Sequence, residues 1–161
     1  MGNGRMIACF PMKGREMGIL HPTPKQKVPK GSQGTESEMI IATELVRAGY
    51  TVLTPYGYMH RYDLVIEDAD GRFWKIQCKT AWLSTQTERA LVFAGCSTGG
   101  KGGWEKRGYL NDVDYFAVYS PDTDRVYLVP AEGIGNQCSL RLTPSKNKQE
   151  KHVRYAADYE L

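Results

Sequence analysis

The stretch "YDLVIEDADGRFWKIQCKT", residues 62–80, decides how the rest of the chain is read. Two apolar runs flank Ala69-Asp70-Gly71, a turn-forming tripeptide, so the stretch predicts two antiparallel strands joined by a tight turn. Asp63 opens the first run, while Gln77 and Lys79 interrupt the second, where packing alone favours Val or Ile. Strand alternation puts Trp74, Ile76 and Cys78 on one face and Phe73, Lys75, Gln77 and Lys79 on the other. Gln77 and Lys79 are then roughly 7 Å apart and point the same way. A half-solvated antiparallel strand explains such alternation by itself. The hairpin adds something more, because the turn is nearly equidistant from Asp63 and Lys79 and brings them to one end of the sheet.

Upstream, "TESEMIIATELVRAGY" predicts a helix capped at Thr35 or Ser37 and stopped at Gly49. At about 100° per residue, Ala42, Leu45, Ile41, Val46 and Met39 gather around Glu38, and Glu36 faces away. Glu38 is expected at the centre of the apolar stripe. An unpaired carboxylate there is costly unless a positive group meets it. Favourable interaction with the helix N-terminus is the plainer explanation for an acid in the first turn. Strands are expected at "YTVLTP", "RALVFAG" and "CSLRLTP", a second hairpin at "VDYFAVYS…RVYLVPA", and a short terminal helix or tail at "HVRYAADYEL". The order predicts an α/β (α+β) domain, a mixed β-sheet with an N-terminal helix packed on it.

Residues 1–33 hold Arg5, Lys13, Arg15, Lys25, Lys27 and Lys30 against Glu16 alone, and the remainder of the chain is net acidic. This divides the chain into a basic tail, 1–33, and a folded domain, 34–161. A basic, Pro/Gly-rich tail reads either as a solvated extension or as an arm whose Lys25, Lys27 and Lys30 touch a phosphate backbone. Met6, Met12 and Met17 leave a later start open. No apolar run approaches the roughly 18 residues of a membrane span. Charges also occupy the place of a signal peptide's apolar stretch, so a cytoplasmic location is expected. Cys9, Cys78, Cys96 and Cys138 lie far apart with no zinc-ligand spacing, which predicts reduced packing thiols.

Two carboxylates, an amide and an ammonium at one end of a sheet suit one chemistry. Hard oxygen ligands take Mg²⁺, which uses few protein carboxylates together with substrate phosphate. A neighbouring lysine can orient the attacking water or neutralise developing charge. The set reads as metal-assisted phosphodiester hydrolysis. Glu38, Asp63 and Gln77-Cys78-Lys79 in this order resemble the PD-(D/E)xK nuclease superfamily, in the variant where glutamine replaces the last acid. "GTESEMIIATELVRAGYTVLTPYG", "YDLVIEDADGRFWKIQCKTA", "DYFAVYSPDTDRVYLVP" and "SLRL" together resemble the small endonucleases associated with group I introns.

The resemblance covers roughly residues 30–161 and implies a restriction-endonuclease-like fold acting on DNA with Mg²⁺, for which Mn²⁺ substitutes. It implies Asp63 as the main metal carboxylate, Glu38 binding the metal or orienting its water, and Gln77 offering its amide oxygen. Cys78 would contribute its backbone carbonyl, and Lys79 would assist the nucleophile. Arg61-Tyr62 stands where the superfamily's name has proline, and Gln77 where it has Asp or Glu, which leaves metal stoichiometry open. Related archaeal-type Holliday junction resolvases give a second reading, with branched DNA in place of a duplex sequence. A catalytically dead DNA-binding module is a third. Cutting two strands with one site per chain implies a homodimer or homotetramer.

"GCSTGGK", residues 95–101, fits G-x-x-x-x-G-K, but Gly102 stands where a phosphate-binding loop needs Ser or Thr. The same Gly-rich loop carries Lys101, Trp104, Lys106 and Arg107, which either grip DNA backbone or are simply solvated. His60 and Arg61 lie beside Asp63, and Lys75 extends the Gln77–Lys79 line; these are the remaining candidate DNA contacts. Tyr56, Tyr58, Tyr115 and Tyr119 are expected to pack.

Overall fold

The computed structural model describes residues 30–57, 59–86, 89–99, 102, 105–144 and 153–161. Helix α1 (Lys30–Arg47) leads into β1 (Thr51–Leu53), β2 (Leu64–Glu67) and β3 (Phe73–Thr80). Next come β4 (Trp82–Leu83), β5 (Ala90–Ala94), β6 (Cys96–Gly99) and β7 (Glu105–Gly108). Strands β8 (Tyr115–Ser120), β9 (Arg125–Pro130) and β10 (Gln137–Arg141) precede a one-turn 3-10 helix, Ala156–Asp158.

The main sheet is mixed, in the order β1-β2-β3-β8-β9. β3 is its hub, antiparallel to β2 (Leu64 opposite Ile76) and parallel to β8 (Gln77 opposite Phe116, Lys79 opposite Val118). Asp68 makes the β2–β3 turn by accepting the Asp70 and Arg72 N–H groups at 3.0 and 2.9 Å and the Trp74 indole N–H at 2.8 Å. These bonds, the indole's first, hold its carboxyl below the usual range. Gly71 supplies the positive φ, 77°, that the turn needs.

Ile76, Cys78, Leu64, Ile66 and Ala117 form one face and pack under α1, whose Ile41 and Leu45 are fully buried. Burial of each of those two side chains contributes about 1.5–3 kcal/mol. The opposite face carries Phe116, Val118, Tyr127 and Val129 and is covered by Leu91 and Phe93 of β5 and Leu140 of β10, from a second sheet ordered β10-β5-β4. Alternation along β3 therefore holds as the sequence predicts, but both faces are covered, and Gln77 is buried. Along the outer edge of β9, Leu128 N–H bonds Tyr159 O at 2.7 Å and Leu161 N–H bonds Val126 O at 3.1 Å, with Tyr127 bridged to Glu160.

Four expectations change. Helix α1 begins at Lys30, well before the cap expected at Thr35 or Ser37. It ends as expected, with Gly49 at φ 95° and Gly49 N–H and Tyr50 N–H bonded back to Val46 and Leu45. Its buried line runs through Ser37, Ile41 and Leu45, so Glu38 flanks the stripe instead of centring it, and Met39 and Val46 face solvent. Ser37 fits inside because its hydroxyl meets that of Thr80 at 2.6 Å. The Gly-rich stretch read as a loop is a two-stranded ribbon, β6 paired with β7 (Ser97 opposite Arg107). Tyr56, expected to pack, is fully exposed; Tyr58 lies outside the described residues. Tyr115 packs edge-on to Trp74, centroids 5.8 Å apart.

Candidate active site

Asp63 stands one residue before β2, and its own N–H bonds Ile76 O at 2.9 Å. That anchor turns its carboxylate back onto β3. Oδ2 accepts the Cys78 backbone N–H at 2.8 Å and also the Gln77 side-chain amide N–H. The same amide nitrogen lies 3.4 Å from Cys78 O. Asp63, Gln77 and Cys78 are thus drawn together as the sequence implies, but the Gln77 nitrogen, in place of its oxygen, faces the carboxylate and the carbonyl. Half a turn of the amide about its last bond exchanges the two atoms and makes the set all oxygen.

Partial burial raises the Asp63 carboxyl above the usual aspartate range, and this outweighs the lowering effects of the Cys78 N–H, Lys79 and Gln77. Glu38 behaves alike. The residue as a whole is exposed, yet desolvation first and the Asp63 charge second push its carboxyl up, with Lys79 opposing. Two carboxyls, both raised by burial and Glu38 further by Asp63, beside a single ammonium form a site rich in negative charge. The Cys78 thiol is buried and pushed up strongly by that burial, then by Asp63 and Glu38, so it is an inert packing group and only its backbone belongs to the site.

Lys79 reaches across the face opposite α1. Its ammonium donates to Tyr109 Oη at 3.1 Å and makes no ion pair among the described residues. Tyr109 is buried and nothing in its sequence setting, "KRGYLND", singles it out. Among the described residues no three His, Cys, Asp or Glu side chains gather as a metal cluster. The site offers instead two carboxylates, one amide and one backbone carbonyl.

The PD-(D/E)XK endonuclease family matches residues 29–161. The chain belongs to that family. The chain is also 46% identical over 66 residues to Protein 5.3 of Escherichia phage T7, an alignment covering 39% of this chain and 55% of that relative. The chain therefore spans little more than half the length of the curated relative it matches. In fold it is similar to the bacterial homing endonuclease I-Ssp6803I, with a TM-score of 0.65 and 23% identity over 81% of this chain and 88% of that one. No helix among the described residues is long and apolar enough to cross a membrane.

The DNA contacts expected from the sequence divide by what their side chains already do. Lys106 and Arg107 lie exposed on β7, and His60 is exposed with Nε2 3.1 Å from Tyr56 O. Arg61 is turned inward. Its guanidinium donates to Asp112 Oδ2 at 3.0 Å, Ser97 Oγ at 2.8 Å and Gly108 O at 2.6 Å. Its Cζ lies 4.2 Å from the Tyr109 ring centroid. Those donors are committed to the base of the ribbon, while Arg61 remains a candidate DNA contact beside Asp63. Half-buried Lys75 has its N–H on Asp114 Oδ2 at 2.7 Å. Lys25, Lys27, Lys101 and Trp104 lie outside the described residues, as does the side chain of Lys30.

Proposed function

We propose that this endonuclease hydrolyses phosphodiester bonds of double-stranded DNA with a divalent cation, Mg²⁺ or Mn²⁺, in the manner of a homing enzyme. The observation that carries the reading is the Asp63 carboxylate held by two donors of β3, with Lys79 from the same strand and Glu38 within electrostatic reach. The donor set fits a hard cation, since surplus negative charge and oxygen donors coincide there. Asp63, Glu38, the Gln77 amide oxygen and the Cys78 carbonyl would hold it. When bound, it supplies Lewis acidity toward the phosphodiester group.

The chain's own residues have distinct parts. Asp63 fixes the position of negative charge, because the Cys78 N–H holds its carboxylate in one orientation whichever way the Gln77 amide is turned. Lys79 brings a cation to the reacting phosphoryl group, where charge grows in the transition state. Glu38, at the helix flank, orients the attacking water. Likeness in fold to a homing enzyme supports a duplex substrate. One site per chain supports a symmetric oligomer for cutting both strands.

The test compares supercoiled plasmid, linear duplex and a four-way junction, each with and without Mg²⁺. Plasmid nicking or linearisation that needs the cation, with no preference for the junction, is expected. Cleavage confined to the junction would move the assignment to a resolvase, and inert DNA under Mg²⁺ and Mn²⁺ would overturn it.

A further inference from the structure

Lys79 sits on a flexible four-carbon stem carrying about 2 kcal/mol of rotamer entropy, so its usefulness depends on what holds it. No carboxylate pairs with it among the described residues, and the partner that the geometry supplies is Tyr109, whose hydroxyl accepts from the ammonium at 3.1 Å and whose ring centroid lies 4.8 Å from it. Tyr109 is itself held on two sides. Its ring meets Phe116 edge-on, centroids 5.5 Å apart, and the Arg61 guanidinium lies over it. That guanidinium is in turn bonded to Ser97 of β6, Gly108 of β7 and Asp112.

We propose that Tyr109 is the positioning residue for Lys79: its hydroxyl holds the ammonium at the end of β3, and Arg61 ties that same ring to the base of the β6–β7 ribbon. The inference rests on the nuclease reading above for its consequence, but the contact itself exists without cation or DNA. Fixing the ammonium beforehand removes an ordering cost from the reaction. Because Arg61 joins ribbon and ring, the position of the ribbon and that of Lys79 are mechanically linked. An exposed, basic ribbon that meets a phosphate backbone through Lys106 and Arg107 thereby acts on the lysine without touching it.

Tyr109→Phe tests this, since it removes the hydroxyl and keeps the ring against Phe116 and under Arg61. Tyr127→Phe is the control. It deletes another buried hydroxyl from the same core, one bonded to Thr123 Oγ1 at 3.1 Å. The first readout is ¹³C relaxation of the lysine Cε groups in cation-free, DNA-free protein, with Lys79 assigned by Lys79→Met. Lys79 Cε should be ordered in the wild type and in Tyr127→Phe, and clearly more mobile in Tyr109→Phe, where only the ring, 4.8 Å from the ammonium, still meets it. Equal mobility of Lys79 in wild type and Tyr109→Phe would overturn the proposal whether or not the protein cuts DNA.

The second readout is single-turnover plasmid cleavage with protein in excess. Tyr109→Phe should lower the saturated rate about tenfold while plasmid affinity measured without divalent cation stays within about twofold. An unchanged rate, or an equal loss in Tyr127→Phe, would overturn it. Inert wild-type protein would sink the nuclease reading and leave the relaxation result to decide the contact.

Discussion

Asp63→Ala and Asp63→Asn perturb one carboxylate in different ways. Oδ2 accepts both the Cys78 N–H and the Gln77 amide. Alanine strands both donors; Gln77 keeps only its 3.4 Å approach to Cys78 O, and the Cys78 N–H has nothing. An orphaned buried donor costs about 1–3 kcal/mol. Removing a carboxylate whose burial is unfavourable offsets part of that. The net is a loss of about 2 kcal/mol, which lowers the melting temperature of a domain this size by about 4–8 °C. Asparagine keeps an acceptor in the same place and deletes only the charge, so its stability stays within about 1 kcal/mol of wild type. Both variants should lose at least about a hundredfold in plasmid cleavage, some 2.7 kcal/mol of barrier. Thermal melts and plasmid nicking measured on the same preparations separate the two effects. A wild-type melting temperature for Asp63→Ala would refute the bracing, and wild-type cutting by Asp63→Asn would refute the site.

Protonation gives a further signature: Asp63 and Glu38 have raised carboxyls in the folded protein, so it binds more protons than the unfolded chain between the ordinary carboxylate range near pH 4 and the raised values. Their contribution to stability falls as pH rises through that window, and urea melts should show Asp63→Asn gaining on wild type from the acid to the neutral side. Gln77→Leu should keep the fold and abolish cation-dependent nicking, whereas Gln77→Glu, with one more negative charge, should lower the Mg²⁺ concentration for half-maximal cutting several-fold. A cation titration of both variants checks this, and wild-type cutting by Gln77→Leu would make it a mere strand residue. Glu38→Ala should slow cleavage at least tenfold while exposed Glu36→Ala leaves it unchanged; the reverse pattern would mean that the wrong glutamate has been assigned to the helix flank.

Local chemistry made the β2–β3 hairpin legible. Asp68-Ala69-Asp70-Gly71 carries its own turn instructions, and alternation along 73–80 sorts Gln77 and Lys79 from Ile76 and Cys78 without tertiary knowledge. The phase of α1 was harder to read, because the buried line includes Ser37, whose polarity is cancelled by Thr80, a residue 43 positions away. A reading weighted by apolar residues slides toward Glu38. The β6–β7 ribbon lacks apolar alternation, and every described β7 side chain is exposed. It is recognisable only through backbone pairing and its tether to Arg61. Gly95, at its root, has no room for a side chain, since a Cβ there would lie 2.2 Å from Gly135 O. Tyr109 was invisible for the same reason: its partners, Lys79 and Arg61, are distant in the chain.

The seam along β9 bears on how the protein is made. Asp63, Gln77 and Lys79 belong to one local hairpin and Tyr109 precedes β8, so a nascent chain released after Pro130 would already contain every residue assigned to the chemistry. It would lack Tyr159–Leu161, whose backbone closes the outer edge of β9. It would also lack β10, which pairs with β5. Two strand edges, one on β9 and one on β5, would then stand open, each ready to add a strand from another chain. Premature termination should therefore yield aggregates in place of a separately folded fragment.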